Sequence, residues 1–314
     1  MNYPASMLSS LGLLPLVVAC AAILGLFMGS FLNCWAWRIV HGESIMHGRS
    51  HCTSCGHALG PLDLVPVLSW VFTRGRCRYC GERIPARYPI TELVCGVVYA
   101  SIVCVYGLTW ETLELLGFAS CLFVLTLTDL DSFIIPNGCI LAAIGFRLAY
   151  IGVTWATGGD GLGLLRDSVI GGLAVGVPLL VLVLVMDRVL GKASMGGGDL
   201  KLLAVAGMYF GFVQCLLLLV VACVLGIVVA FVQMARAGKQ RPVDADAGAN
   251  AEAHPAVSAS TEAATSTSTS TEAATSAPSS SLSVTIPWGP SIAVACWFTM
   301  LAGGPIVSWY LSLF

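Results

Sequence analysis

Residues 115–131 read Leu115-Leu116-Gly117-Phe118-Ala119-Ser120-Cys121-Leu122-Phe123-Val124-Leu125-Thr126-Leu127-Thr128-Asp129-Leu130-Asp131. An uncharged run leads straight into two aspartates. With the residues just before it, the apolar stretch covers 111–130. That is about the 20 residues a helix needs to cross a hydrocarbon core. A carboxylate near membrane depth costs about 2.5–3.5 kcal/mol at a helix centre and marks a functional site by default. Comparable apolar stretches lie at 11–35, 91–108, 134–156, 168–190, 200–211, 212–234 and 288–313. The boundary between 200–211 and 212–234 falls at Gly211. The count is about eight spans, and the fold class is an all-α polytopic membrane protein.

Composition agrees. The 314 residues are 57% hydrophobic and 10% charged, against about 25% charged in soluble domains. Soluble globular, disordered and collagen-like classes are excluded. The charges cluster at 38–92 and 236–272, so two polar insertions interrupt the membrane segments. The net charge of −2 identifies no partner. Nucleic acid is not expected as one.

Positive charge sets orientation, because Lys and Arg are retained on the cytoplasmic side. With the N-terminus outside, 13 of the 15 basic residues fall inside; only Arg147 and Arg166 do not. Arg147 is the one charge placed well inside a span. Val17-Val18-Ala19-Cys20 resembles a lipoprotein cleavage site. Residues 1–10 carry no Lys or Arg, however, and the apolar run continues past Cys20, so a retained helix is expected.

The second insertion, 244–283, is Ala, Ser, Thr and Glu with two prolines, and Ser260–Ser266 recurs as Ser270–Ser276. Such a segment buries too little apolar surface to offset ordering entropy. A disordered cytoplasmic loop is expected, with a docking tail as the alternative.

The first insertion holds Cys52-Thr53-Ser54-Cys55 and Cys77-Arg78-Tyr79-Cys80. Paired C-x-x-C knuckles at this spacing supply four thiolates for a closed tetrahedral Zn2+ site. Gly56 and Gly81 follow the second cysteine of each knuckle, where a tight turn favours a permissive backbone. Disulfides are disfavoured in a reducing cytoplasm. His51 and His57 could replace a cysteine ligand or be plain loop residues; His41 and His47 lie nearby.

A second carboxylate opens a span: Ser194-Met195-Gly196-Gly197-Gly198-Asp199-Leu200-Lys201-Leu202-Leu203. In the N-out topology, Asp129, Asp131 and Asp199 all lie at cytoplasmic helix ends. Two carboxylates brought together share a proton, one serving as general base on water and the other as general acid. Gly196, Gly197 and Gly198 would let a substrate backbone approach. The alternatives are a helix N-cap for Asp199 and a solvated helix end for Asp129 and Asp131.

These residues resemble the bacterial type IV prepilin peptidases, membrane aspartic proteases with a G-x-G-D motif. The resemblance covers nearly the whole chain. It rests on Gly25–Asn33, Arg49–Cys55, Pro66–Trp70, Arg74–Cys80, Arg87–Pro89 with Glu92-Leu93, Gly196–Leu202, and Ile286-Pro287-Trp288-Gly289-Pro290. The family's first catalytic aspartate precedes a proline-aspartate or proline-asparagine pair, with six residues between. Here residues 130–135 separate Asp129 from Pro136-Asn137, which picks Asp129 over Asp131. The resemblance implies catalytic Asp129 and Asp199 and cleavage of prepilin and pseudopilin leaders after a glycine. It also implies N-methylation of the new N-terminus with S-adenosylmethionine through the cytoplasmic domain. The expected location is the bacterial inner membrane, with the active site at its cytoplasmic face. Departures are Val40 where many relatives have proline, Asn137 where many have aspartate, and the long 244–283 insertion.

The expected organisation is a first membrane helix at 1–37, a zinc-binding cytoplasmic domain at 38–90 and a protease core at 91–235. A loop at 236–285 and a last helix at 286–314 complete it. A transporter or channel with a zinc-stabilised domain is the competing class. It should show repeat symmetry and mid-bilayer charges, and no hydropathy repeat is present.

Overall fold

A computed structural model describes residues 3–44, 48–191, 195–239 and 288–313. The 244–283 insertion, His47 and Ile286-Pro287 lie outside the described residues. The chain divides into a large unit, 1–226 with 287–314, and a small one, 227–286. The three aspartates and all four knuckle cysteines belong to the large unit.

The described residues are helical, with only isolated β-bridges besides. A short α1 (Ala5–Ser10) leads into α2 (Leu14–His41). The knuckle segment comes next, with a 3-10 turn at Pro61–Leu64 and a short α3 (Leu68–Phe72). Then come α4 (Arg87–Tyr106), α5 (Trp110–Ser132), α6 (Asn137–Ala156), α7 (Gly161–Leu190) and α8 (Gly197–Lys239). The last span is α9 (Gly289–Phe298), a π turn (Thr299–Gly303) and α10 (Gly304–Leu311). Helices α2 and α4 flank the expected 38–90 segment closely, ending at His41 and starting at Arg87.

Among the described residues, seven helices are long and apolar enough to cross a membrane. One of them, Gly197–Val232, has 36 residues. At 1.5 Å per residue it would be about 54 Å long, far beyond a core of about 30 Å. It is broken: Gly211 has φ 70° and ψ 179°, a left-handed conformation that favours glycine. Near one end Gly198 abuts Ile135, and farther along Gly226 lies against the Trp288 ring. Trp288 adjoins Gly289, whose N–H bonds to Asp129. Residues 198 and 226 therefore both lie toward the end of α5 that carries Asp129, with the bend at Gly211 between them. The division expected at Gly211 is where the backbone leaves helical geometry.

Small residues bring the helices together. A Cβ on Gly25 would stand 2.8 Å from the Cys95 carbonyl, and one on Gly29 would stand 2.9 Å from the Cys95 Cβ. This is close small-residue packing of the kind membrane helices use where no hydrophobic force joins them. The π turn in the last span leaves the Met300 carbonyl to accept from Tyr106 Oη at 2.7 Å.

Arg147 is not a solitary charge. Its Nη1 pairs with Glu114 Oε1 at 3.0 Å, with side-chain exposures of 10% and 2%. Its Nε donates to Ser168 Oγ at 2.9 Å. The guanidinium also lies over the Tyr209 ring, 5.4 Å from its centroid. One cation thereby joins α5, α6, α7 and α8.

Removing one partner of a buried pair leaves an uncompensated charge, at a cost of about 3–5 kcal/mol. We expect Arg147→Met to lower the unfolding temperature in detergent sharply. The double change Arg147→Met/Glu114→Leu should recover most of the loss, as read by thermal unfolding.

Candidate active site and metal centre

The site starts at the end of α5. Asp129 is buried, with 6% exposure. Its Oδ2 accepts the Gly289 N–H at 2.9 Å. A Cβ on Gly289 would stand 2.7 Å from that oxygen, so only glycine admits so close an approach of the last span. Asp129 is therefore not a solvated helix end.

Asp131, two residues on, leaves the helix in another direction. Arg87 holds it: Nη1 pairs with Oδ1, and Nη2 donates to Oδ2 at 2.9 Å. Arg87 Nη2 also reaches the Leu127 carbonyl at 3.5 Å. The α4 arginine thus ties down the second aspartate and leaves the first to face inward.

Asp199 arrives from the other side, in the first turn of α8. Its Oδ1 is buried and has no hydrogen-bond partner among the described residues. An N-cap would have its oxygens on backbone N–H groups, so this oxygen is not spent on capping. A buried, unpartnered acceptor is a costly arrangement and stands ready for a water or substrate atom.

Two contacts dock the segments carrying these aspartates. A Cβ on Gly198 would stand 2.7 Å from the Ile135 Cβ. Lys201 Nζ donates to Asn137 Oδ1 at 3.0 Å. The glycines therefore differ in role. Gly198 is small because Ile135 packs on it, Gly197 faces open space, and Gly196 sits beside Asp199 Oδ2. The Asn137 departure is accommodated, since an amide oxygen receives the lysine. Gly289 and Arg87 are partners of the aspartates that sequence reasoning missed. The signals were a glycine opening the last span and a basic residue opening α4, neither of which names its contact.

The knuckles are built alike. In the first, Cys52 N–H donates to the His57 carbonyl at 3.0 Å and Gly56 N–H to the Cys52 carbonyl at 2.9 Å. In the second, Cys77 N–H donates to the Glu82 carbonyl at 2.8 Å and Gly81 N–H to the Cys77 carbonyl at 2.9 Å. Gly56 and Gly81 have φ 71° and 74°, the turn conformation expected of them. The sulfurs of Cys52, Cys55, Cys77 and Cys80 all lie within 4.8 Å of one another, and Cys52 and Cys80 are 3.9 Å apart. Zinc–thiolate bonds of about 2.3 Å in a tetrahedron give sulfur–sulfur edges of roughly 3.8 Å. The cluster fits that ion. Backbone N–H groups of Cys55 and Ser54 lower the Cys52 thiol to about 6, so a first thiolate forms readily. The histidines are elsewhere: the His57 ring packs on Tyr79 at 3.6 Å, and the His51 ring lies edge-on to Trp37.

Comparison with known proteins gives two family matches. The Bacterial Peptidase A24 N-terminal domain matches residues 23–106, and the Type IV leader peptidase family matches residues 116–231. The chain is 32% identical over 228 residues to a prepilin leader peptidase/N-methyltransferase of Myxococcus xanthus (strain DK1622), covering 73% of this chain and 66% of that protein. It is 33% identical over 236 residues to one of Pseudomonas putida, covering 68% and 79%. It is 30% identical over 249 residues to one of Neisseria gonorrhoeae, covering 72% and 85%. The chain thus spans just under two thirds of the first relative and more of the other two. No solved structure matches.

Metal analysis of purified protein should find about one zinc per chain, as a closed four-thiolate site holds. Cys77→Ser, which removes the buried ligand, should lower zinc to background. Zinc-free protein with four free thiols would refute the metal centre.

Proposed function

The chain belongs to the type IV leader peptidase family, and on that basis we propose that it is a membrane aspartic endopeptidase that cleaves prepilin and pseudopilin leaders. It also N-methylates the exposed N-terminus. The observation that supports the reading is the docking of the segment that carries Asp199 on Ile135 and Asn137, just past the end of α5 that carries Asp129, with Asp199 Oδ1 left without a partner among the described residues. A transporter reading has no comparable support, because the buried Arg147 is already paired with Glu114.

In this reading the two carboxylates share one proton, because like charges side by side do not both ionise. The unprotonated one takes a proton from water as it attacks the peptide carbonyl carbon. The other gives its proton to the carbonyl oxygen. The tetrahedral intermediate then collapses: the C–N bond breaks, the departing nitrogen takes the proton removed from water, and a hydroxyl proton of the intermediate returns to the carboxylate that gave one up. Gly289 N–H orients Asp129 for this, and open space beside Gly197 gives the substrate backbone its approach.

The methyl donor is S-adenosylmethionine, which supplies an electrophilic methyl group. The knuckle cysteines hold structural Zn2+ and stabilise the segment between α2 and α4. The protein sits in the bacterial inner membrane with its N-terminus outside, as the placement of 13 of 15 basic residues supports. Substrate, lipid and cytoplasmic water meet at the aspartate end. The domains follow the expected order, with α8 running on to Lys239, past the boundary expected at 235.

Leader cleavage of a prepilin from the same genome, in membranes, tests this. Asp129→Asn and Asp199→Asn should each abolish cleavage, while Asp131→Asn should largely retain it. Full cleavage by the Asp199→Asn protein would sink the assignment. Deleting residues 244–283 should leave cleavage near normal; a large loss would give the loop a function.

A further inference from the structure

A second site lies between the knuckle segment and the adjoining ends of α2 and α4. It is a cavity of about 480 Å³, within the roughly 300–1,000 Å³ of small-molecule sites. Its walls include the aromatic rings of Trp37, Trp70, Tyr79 and Tyr88, the carboxylates Asp63 and Glu92, and the arginines Arg38, Arg76, Arg78 and Arg83, of which Arg78 pairs with Asp63 at 3.4 Å. Resting on the methyltransferase reading, we propose that this cavity binds the sulfonium methyl donor, with Glu92 and the Arg78-paired Asp63 as its carboxylates, the arginines facing the donor's own carboxylate, and the aromatic rings as its walls.

The walls suit such a ligand. A sulfonium cation is attracted to aromatic faces, as other cations are, and a flat base stacks on them. The rings are held in place: Trp70 Nε1 donates to the Ile84 carbonyl at 3.1 Å, and Trp37 stacks on His41 with centroids 4.0 Å apart. Tyr79 Oη donates to Asp63 Oδ2 at 3.0 Å. Glu92 is the telling residue. It is 8% exposed, on a membrane helix, and has no cation paired with it among the described residues' ion pairs. Its Oε2 accepts the Val67 N–H at 2.7 Å. Val67 has φ 60°, a genuine outlier for a β-branched residue. Such strain persists where the surroundings over-determine it and clusters at ligand sites. A buried carboxylate that holds a strained loop against a cavity suits a positively charged ligand.

A smaller cavity of about 140 Å³ is lined by Asn33, Trp37, Pro85, Arg87, Tyr88 and Asp131. It shares Trp37, Pro85 and Tyr88 with the larger. It ends at Asp131, two residues along α5 from Asp129. In the transfer, the amine nitrogen would bond to the methyl carbon as the C–S bond breaks with its electron pair kept on sulfur, and the resulting ammonium would give its proton to solvent water. Cys52 and Cys77 belong to the cavity wall, so a zinc held by the knuckles would also brace the donor site.

Binding decides the matter without any turnover. Full-length protein in detergent is titrated calorimetrically with S-adenosylhomocysteine, and zinc content checks that each variant is folded. Glu92→Gln keeps an oxygen for Val67 but loses the charge; it should weaken binding at least about tenfold, the effect of roughly 1.4 kcal/mol. Wild-type affinity in both Glu92→Gln and Asp63→Asn would overturn the cavity assignment alone. A wild-type protein that binds neither S-adenosylhomocysteine nor S-adenosylmethionine would overturn the methyltransferase reading beneath it. Photolabelling of the unaltered protein with radioactive S-adenosylmethionine guards against misfolded variants. Label in residues 63–92 supports the site, and label confined elsewhere refutes it.

Discussion

The buried pair of Arg147 and Glu114 is the interaction on which the arrangement depends. Two opposite charges inside a membrane bundle are tolerable only together and with their remaining hydrogen-bonding groups used. Here Ser168 and the Tyr209 ring complete the arginine's shell. Tyr209 in turn stacks on Phe118 of α5, with centroids 4.0 Å apart. Its hydroxyl donates to the Ala143 carbonyl of α6 at 2.7 Å. The helices carrying Asp129 and Asp199 are α5 and α8. The same pair that anchors them to α6 and α7 therefore sets the frame that carries the two aspartates.

Within that frame, small residues do the close positioning. Gly198 on Ile135, Gly289 on Asp129 and Gly211 at the bend each let backbone come where a side chain would block it. Lys201 bonded to Asn137 closes the same junction with a polar contact. The knuckle segment is organised differently. It has few buried apolar residues and repeats one hydrogen-bonded turn twice. Its four cysteine sulfurs within 4.8 Å of one another could hold a metal ion, which would supply the stability its small core does not. The two centres are linked through Arg87, which opens α4, holds Asp131 and lines the small cavity beside Tyr88.

Much of this is legible in the chain. Uncharged runs of membrane length give the helices, and paired C-x-x-C with glycine gives the knuckles, because both are local patterns. Asp129 and Asp199 stand out because carboxylates are rare in such surroundings. The glycine triplet is only half legible. Substrate approach is a sufficient reason for all three in the sequence, yet Gly198 is small because Ile135 packs there. Arg147 is conspicuous as an intramembrane charge, but Glu114 is not, since it lies 33 positions away and near the start of its own helix. Glu92 stands within a recognisable motif that assigns it no role.

Hydropathy, spacing and the cost of placing charge near a membrane act within a few turns of chain. They are enough to point to the class of protein, most of its membrane helices, the knuckles and the two aspartates. Packing in three dimensions supplies the rest: Gly289 bonds Asp129, Arg87 takes Asp131, and Asp199 keeps an oxygen unpartnered. Packing also makes α2, α4 and the knuckles enclose a cavity. These contacts join residues up to 160 positions apart. Which of several chemically equivalent partners meet is set by how the helices pack, and no local pattern encodes it.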